Sequence, residues 1–239
     1  MNMAKQLNGS LYYLVANVRY SFIIFWIILM VMFAVTIISA LLVPDSVISF
    51  QLAAPIYVFA AVIGFCTVKN AFPYLIKMGS TRKNIFLSFG IYALLLSLLN
   101  AVIANSVNSI VALIFGGKME LGFITVTENG STMTNYHLGD FLGENSWITR
   151  VFIDTSISFF FLAVMFIIGL IFYRFGLIGG FSFIGAGVII FILGMSKGWL
   201  LDFFAAIFRD FSIIFFYQLL VTGILIYLVS FLLIRRITI

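Results

Sequence analysis

From Ser21 to Val43 the chain runs 23 residues without a charged side chain. As a helix that run is about 34 Å long, enough to cross the ~30 Å hydrocarbon core of a bilayer. Lipid offers no hydrogen bonds, so every backbone polar group in such a run must be satisfied within the chain, as a helix does. The pattern recurs. Apolar spans are expected at about 21–43, 50–68, 85–115, 151–173, 175–195 and 211–234. Pro44-Asp45 closes the first span, Lys69-Asn70 the second and Arg235-Arg236 the last, and Arg174 marks a tight turn between the fourth and fifth. The third span is long enough to tilt or to project beyond the bilayer. No small-residue cleavage site follows the first run, so it reads as a retained span rather than a signal peptide.

Charge and hydrophobicity together exclude a soluble domain. Hydrophobic residues make up 64% of the 239 and charged residues only 9%, too little polar surface to cover a core in water. The expected fold is an all-α integral membrane protein, one membrane-centred domain over residues 1–239, with six transmembrane helices. Cys66, the single cysteine, lies in an apolar run and has no partner for an intrachain disulfide.

Several segments fall outside the spans. In residues 1–19, Leu7, Leu11, Leu14, Val15 and Val18 form one apolar stripe among Lys5, Gln6, Asn8, Ser10 and Asn17. This predicts an amphipathic helix lying in the membrane interface, with Tyr12 and Tyr13 at headgroup depth; a plain extension of the first span is the other reading. Residues 116–150 are the one long polar stretch, an extracellular loop. Alternation in Phe123-Ile124-Thr125-Val126-Thr127 predicts a short strand or hairpin there, turning at Asn129-Gly130. Between spans 5 and 6, residues 196–210 mix Trp199, Leu200, Phe203, Phe204, Ile207 and Phe208 with Lys197, Asp202, Arg209 and Asp210. That segment is expected to be re-entrant or interfacial.

Basic residues orient the chain. With six spans and both termini inside, the inner face holds Lys5, Arg19, Lys69, Lys77, Arg82, Lys83, Arg174, Arg235 and Arg236. The outer side holds Lys118, Arg150, Lys197 and Arg209. Nine against four follows the positive-inside bias, and the inverted topology reverses it. All eight acidic residues, Asp154 among them, fall outside or at outer span ends. The basic excess is thus a topology signal, and no nucleic-acid partner is expected.

The chain carries no catalytic motif. Gly117-Lys118 lacks the upstream glycine and the following Ser or Thr of a phosphate-binding loop. His137 is the only histidine, no metal-ligand cluster occurs, and no nucleophile elbow is present. No cofactor, no metal and no enzymatic activity are expected on this chain. Lys69, Asp154 and Arg174 are placed at span ends, which leaves no ionisable group near mid-membrane of the kind that ion-coupled carriers use.

Two polar or small-residue patterns lie inside spans. Ser97, Asn100, Asn105 and Asn108 fall within about 140° of one another on a helical wheel. Buried asparagines need partners, so this face either bonds neighbouring helices or lines a cargo route. Gly176 and Gly180, four apart, would let two helices approach closely.

The most structured loop lies between spans 2 and 3: Phe72-Pro73-Tyr74-Leu75-Ile76-Lys77-Met78-Gly79-Ser80-Thr81-Arg82-Lys83. A short helix over Phe72–Met78 is expected, with Gly79 at its C-terminal turn and Ser80 or Thr81 capping the next helix. Met78-Gly79-Ser80-Thr81-Arg82-Lys83-Asn84-Ile85-Phe86 resembles the hydrophobic-Gly-x-x-Arg-Lys-x-hydrophobic-Phe loop of small bacterial type-2 ATP-binding-cassette (ABC) exporter permeases. The nearest likeness is to those of Gram-positive peptide-export and antimicrobial-resistance systems. The likeness covers about ten residues by motif and the chain by layout, though the 116–150 loop is longer than in the smallest members.

That resemblance implies a cell-membrane permease that pairs as a homo- or heterodimer and binds separately encoded cytoplasmic ATPases, which hold the ATP-Mg. Phe72–Lys83 would be the coupling helix and its flank, and the N-terminal helix would join the same inner interface. Cargo, a hydrophobic or amphipathic peptide, lipid or drug, would pass between subunits beside spans 1, 2 and 5, with membrane lipid around them. A self-contained channel or secondary carrier is the alternative, and an intramembrane lipid enzyme a third.

Overall fold

The computed structural model describes residues 3–42, 52–114, 124–128, 132–136, 146–209 and 212–235. Pro44-Asp45, Asn129-Gly130, His137 and Arg236 lie outside them. In chain order the elements are α1 (Met3–Leu42), α2 (Ala53–Lys77), α3 (Arg82–Ile114), β1 (Ile124–Glu128), β2 (Thr132–Tyr136), α4 (Trp147–Ser196), α5 (Trp199–Arg209) and α6 (Ile213–Arg235). Among the described residues the chain is mainly helical, and five helices, α1, α2, α3, α4 and α6, are long and apolar enough to cross a membrane, which suits a multi-pass membrane protein.

No separate interfacial helix precedes the first span. α1 is one helix of 40 residues, about 60 Å long. The reason is its buried stripe. Ser10, Leu14, Val18, Trp26, Leu29 and Phe33 are all buried, and their helical spacing continues unbroken from the polar part into the apolar part. Of the stripe expected to lie on lipid, Leu14 and Val18 are buried against protein and Leu7 and Leu11 are half-buried, while Val15 stays exposed. On the opposite face Ile24, Ile27, Ile28, Val31, Met32 and Val35 stay exposed, which in water would be a large apolar patch and in lipid is matched surface.

The expected end of span 2 at Lys69-Asn70 is absent, and so is a separate coupling helix. α2 continues through Pro73 to Lys77. Its buried face runs on past Lys69 through Ala71, Phe72 and Leu75 into the main core, so packing carries the helix beyond its apolar window. It ends at Gly79, whose φ of 77° is left-handed. There Ser80 N–H donates to the Leu75 carbonyl at 3.1 Å and Gly79 N–H to the Ile76 carbonyl at 2.9 Å. That pair of bonds is a Schellman cap. Thr81 starts α3, its hydroxyl accepting from the Asn84 N–H at 3.3 Å.

α4 is the centre of the bundle, touching α2, α3, α5 and α6. Helix α2 reaches it backbone to backbone. A Cβ at Gly64 would sit 2.5 Å from the Leu162 carbonyl oxygen, and one at Gly169 3.2 Å from that of Phe65. Phe89 stacks on Phe166 with ring centroids 3.8 Å apart, and Tyr227 of α6 completes this aromatic cluster.

At Gly176 (φ 71°, ψ −173°) α4 breaks into two limbs, two residues after the expected turn at Arg174. This corrects the role assigned to Gly176: it is the bend, not a packing surface. Gly180 makes room across the bend, where a Cβ would meet the Phe172 ring at 2.4 Å. Beyond the bend almost every side chain is exposed, Ile178 at 85%. A second bend at Gly198 (φ 80°) turns the chain into α5, an 11-residue amphipathic helix where a re-entrant or interfacial segment is expected. Gly194 accommodates Trp199 at this turn. β1 and β2 form the expected hairpin, antiparallel with Ile124 opposite Tyr136 and Glu128 opposite Thr132.

Candidate functional site

The capped α2–α3 loop stands at one end of the bundle, and the first turns of α1 hold it. Tyr13 stacks on Tyr74 with centroids 4.2 Å apart. Ser10 and Ser80 share a hydrogen bond of 3.1 Å. Asn84 Nδ2 donates to Gln6 Oε1 at 2.7 Å, and the Ser88 hydroxyl to the Leu7 carbonyl at 3.3 Å. Four ties from one helix fix both the cap of α2 and the start of α3.

That arrangement sorts the expected loop residues. Phe72 is buried and packs edge-on against Tyr173. Pro73 and Ser80 are half-buried. Tyr74, Lys77, Met78, Gly79, Thr81, Arg82 and Lys83 are exposed. Met78 protrudes most among the apolar ones, at 60%. Arg82 is exposed but directed: its Nη1 donates to the Arg235 carbonyl at 2.5 Å, tying the start of α3 to the end of α6. The loop therefore offers a rigid surface with a methionine, a tyrosine and several cations. Gln6, Ser10 and Tyr13 belong to this unit although they lie outside the motif, and Asn84 stands within it. The signal was the α1 stripe, which brings Ser10 and Leu14 onto the face that packs.

Well away from that end lies a second polar cluster. Ser97, Asn100, Asn105 and Asn108 are all buried. Trp26 Nε1 donates to Asn100 Oδ1 at 3.2 Å, joining α1 to α3. Asn105 Nδ2 donates to Asp154 Oδ2 at 2.6 Å and to its own helix at the Ala101 carbonyl. Tyr57 donates to Asp154 Oδ1 at 2.5 Å. Asn100 and Asn105 therefore bond neighbouring helices. The Ser97 hydroxyl and Asn100 Nδ2 are buried without a protein partner among the described residues.

Asp154 and Lys69 are not at helix ends. Asp154 lies seven residues into α4, about 10 Å along it, and only 4% of its surface is exposed. Lys69 lies inside α2, eight residues before its end. The shift has one cause: α4 starts at Trp147, before its apolar window, and α2 ends after its own. A carboxylate taken out of water needs donors on both oxygens. Here α2 supplies one and α3 the other, so the charge joins three helices.

Two further cavities are almost wholly apolar. One, of about 580 Å³, runs along α1 beside Phe22, Trp26, Met30 and Ile103. The other, of about 540 Å³, lies at the Gly176 bend beside Phe65, Phe172 and Phe181, with Lys69 at its edge. Among the described residues no group of three or more His, Cys, Asp or Glu could hold a metal ion. Comparison with protein-family models, with curated proteins and with solved structures finds no match to this chain.

Proposed function

We propose that this chain is the transmembrane permease subunit of an ATP-driven exporter, paired with a second permease subunit and driven by separate cytoplasmic ATPases. One observation carries the proposal: the α2–α3 loop is capped at both ends, braced by α1, and presents Tyr74, Lys77 and Met78 outward. A connector that only joined two spans would need none of this bracing. A loop that transmits force from a docked partner needs rigidity, because a soft loop absorbs a push instead of passing it on.

In this reading the two limbs of α4 are separate spans, which gives six crossings with both termini in the cytoplasm. Lys5, Lys77, Arg82, Lys83 and Arg235 gather at the loop end, as the positive-inside bias requires of a cytoplasmic face. A push on the loop reaches α1 through the Tyr13–Tyr74 stack, α6 through Arg82, and α4 through Phe72 and Tyr173. Cargo is a hydrophobic or amphipathic peptide, lipid or drug, in keeping with the aromatic apolar cavities along α1 and at the Gly176 bend.

The test is purification of the full chain from its own membranes in mild detergent, followed by assay of ATP hydrolysis. Activity should co-purify and should fall with Lys77→Glu plus Met78→Asp, while the variant keeps its elution volume. A chain that transports alone in vesicles, without ATP, overturns the proposal. One observation favours that second reading, a self-contained carrier: Asp154 is an ionisable group inside the bundle. Ion-gradient-driven transport lost with Asp154→Asn would select it.

A further inference from the structure

The start of α3 and the end of α6 flank an open recess of about 600 Å³ lined by Thr81, Arg82, Lys83, Phe231 and Arg235. Among the described residues that line it, three of five are cations and none is acidic. Of the described acidic residues, Asp154 lies near the far end of α4, Asp202 precedes the N-terminus of α6, and Glu128 is in the hairpin. None of them lines the recess. Three exposed like charges around one recess raise the local positive potential and favour an anion there. Arg82 is not free to swing away, because its Nη1 is held by the Arg235 carbonyl.

What leads out of the recess narrows the kind of anion. On α3, Leu87, Ile91 and Leu94 follow Lys83 at four, eight and eleven residues, and all three are exposed. On α6, Leu228 and Ile224 precede Phe231 on the same face and are exposed as well. The two helices touch along this line through Phe86, which packs against Tyr227 and Phe231. A polar, cationic recess thus opens onto two apolar stripes that reach about 16 Å from Lys83 and Arg235, roughly half the thickness of a bilayer core. A free phosphate would use the recess and leave the stripes idle. A phospholipid uses both.

We propose that this recess is a binding site for the phosphate headgroup of an anionic phospholipid in the leaflet at the loop end, with its acyl chains along α3 and α6. The site is independent of the exporter reading. Occupied, the headgroup bridges the α2–α3 loop to the chain's C-terminal helix and adds to the Arg82–Arg235 tie.

The experiment is native mass spectrometry of the full chain, without any ATPase, released from micelles supplied with equal phosphatidylglycerol and phosphatidylcholine. Each surface cation favours an anionic lipid by about fivefold, so phosphatidylglycerol adducts should exceed phosphatidylcholine adducts by about tenfold or more. Arg82→Gln, Lys83→Gln and Arg235→Gln together should bring the ratio close to one. Removing three charges elsewhere, with Arg150→Gln, Lys197→Gln and Arg209→Gln, should leave it unchanged. If the triple variant does not fold, Lys83→Gln alone should lower the ratio about fivefold, and Arg82→Lys should preserve it. Equal adducts on the parent chain overturn the proposal, as does an equal loss in both triple variants. So does complete displacement of the lipid adduct by inorganic phosphate, which would make this a free-phosphate site.

Discussion

Replacing Tyr57 by Phe removes one oxygen and tests whether Asp154 fastens the bundle. The structure sets the magnitude. The Tyr57 hydroxyl donates to Asp154 Oδ1 at 2.5 Å, and both residues are buried. A hydrogen bond to a charged group in a soluble core is worth about 1.5–3 kcal/mol. Between membrane helices the measured average is about 0.6 kcal/mol with a maximum near 1.7, because the unfolded helices in lipid also find partners. A short bond to a carboxylate belongs at the upper end of that range, so Tyr57→Phe should cost about 1.5 kcal/mol. Asp154→Ala takes the acceptor from both Tyr57 and Asn105 and should cost about 3 kcal/mol. In the double variant the Tyr57 bond is lost only once, so the two costs should fall short of additivity by about 1–1.5 kcal/mol. Reversible unfolding of the purified chain in mixed micelles measures all four corners of the cycle. A coupling below about 0.3 kcal/mol, within the error of additive sites, would refute the idea that the charge joins α2 to α4.

Three further outcomes follow from named contacts. Gly64→Ala places a methyl 2.5 Å from a backbone oxygen that cannot yield and should lower stability by about 2–3 kcal/mol; Gly185→Ala, with open space around it, should be neutral or slightly stabilising, and thermal denaturation compares the two. Gly176→Ala meets a backbone conformation reserved for glycine and should cost about 1–3 kcal/mol, with the spin-label distance between Ile168→Cys and Ile184→Cys lengthening as the limbs splay. Tyr13→Ala removes the stack on Tyr74, worth about 0.5–1.5 kcal/mol, so amide exchange over residues 76–81 should quicken about threefold to tenfold while exchange in the first limb of α4 stays put.

Much of the fold was legible in the apolar runs, because lipid leaves a long uncharged run few options. The bend near Arg174, the hairpin and the Gly79 turn were legible for the same kind of reason: a charge between apolar runs, period-two alternation and a left-handed glycine are local signals. The ends of α1 and α2 were not. Hydropathy finds the part of a helix that suits lipid, whereas burial against protein decides how far it continues, and Leu14, Val18, Ala71, Phe72 and Leu75 continue it. The same limit hid Asp154. Its neighbours in sequence give the edge of an apolar window, while its partners Tyr57 and Asn105 stand 97 and 49 residues away. In the loop, residue types pointed to Thr81 and Gly79, but the bracing by Gln6, Ser10 and Tyr13 needed the long-range register of α1 against α3.

The central claim is that the braced loop faces a cytoplasmic ATPase, and Met78 tests it most directly because it is exposed beside the Gly79 cap. With Cys66 changed to Ser and Met78 to Cys, a membrane-impermeant thiol reagent should fail to label intact cells. It should label inside-out vesicles, and ATPase bound at the loop should protect the thiol. Labelling of Met78→Cys in intact cells would put the loop on the wrong side of the membrane and contradict both the orientation and the function.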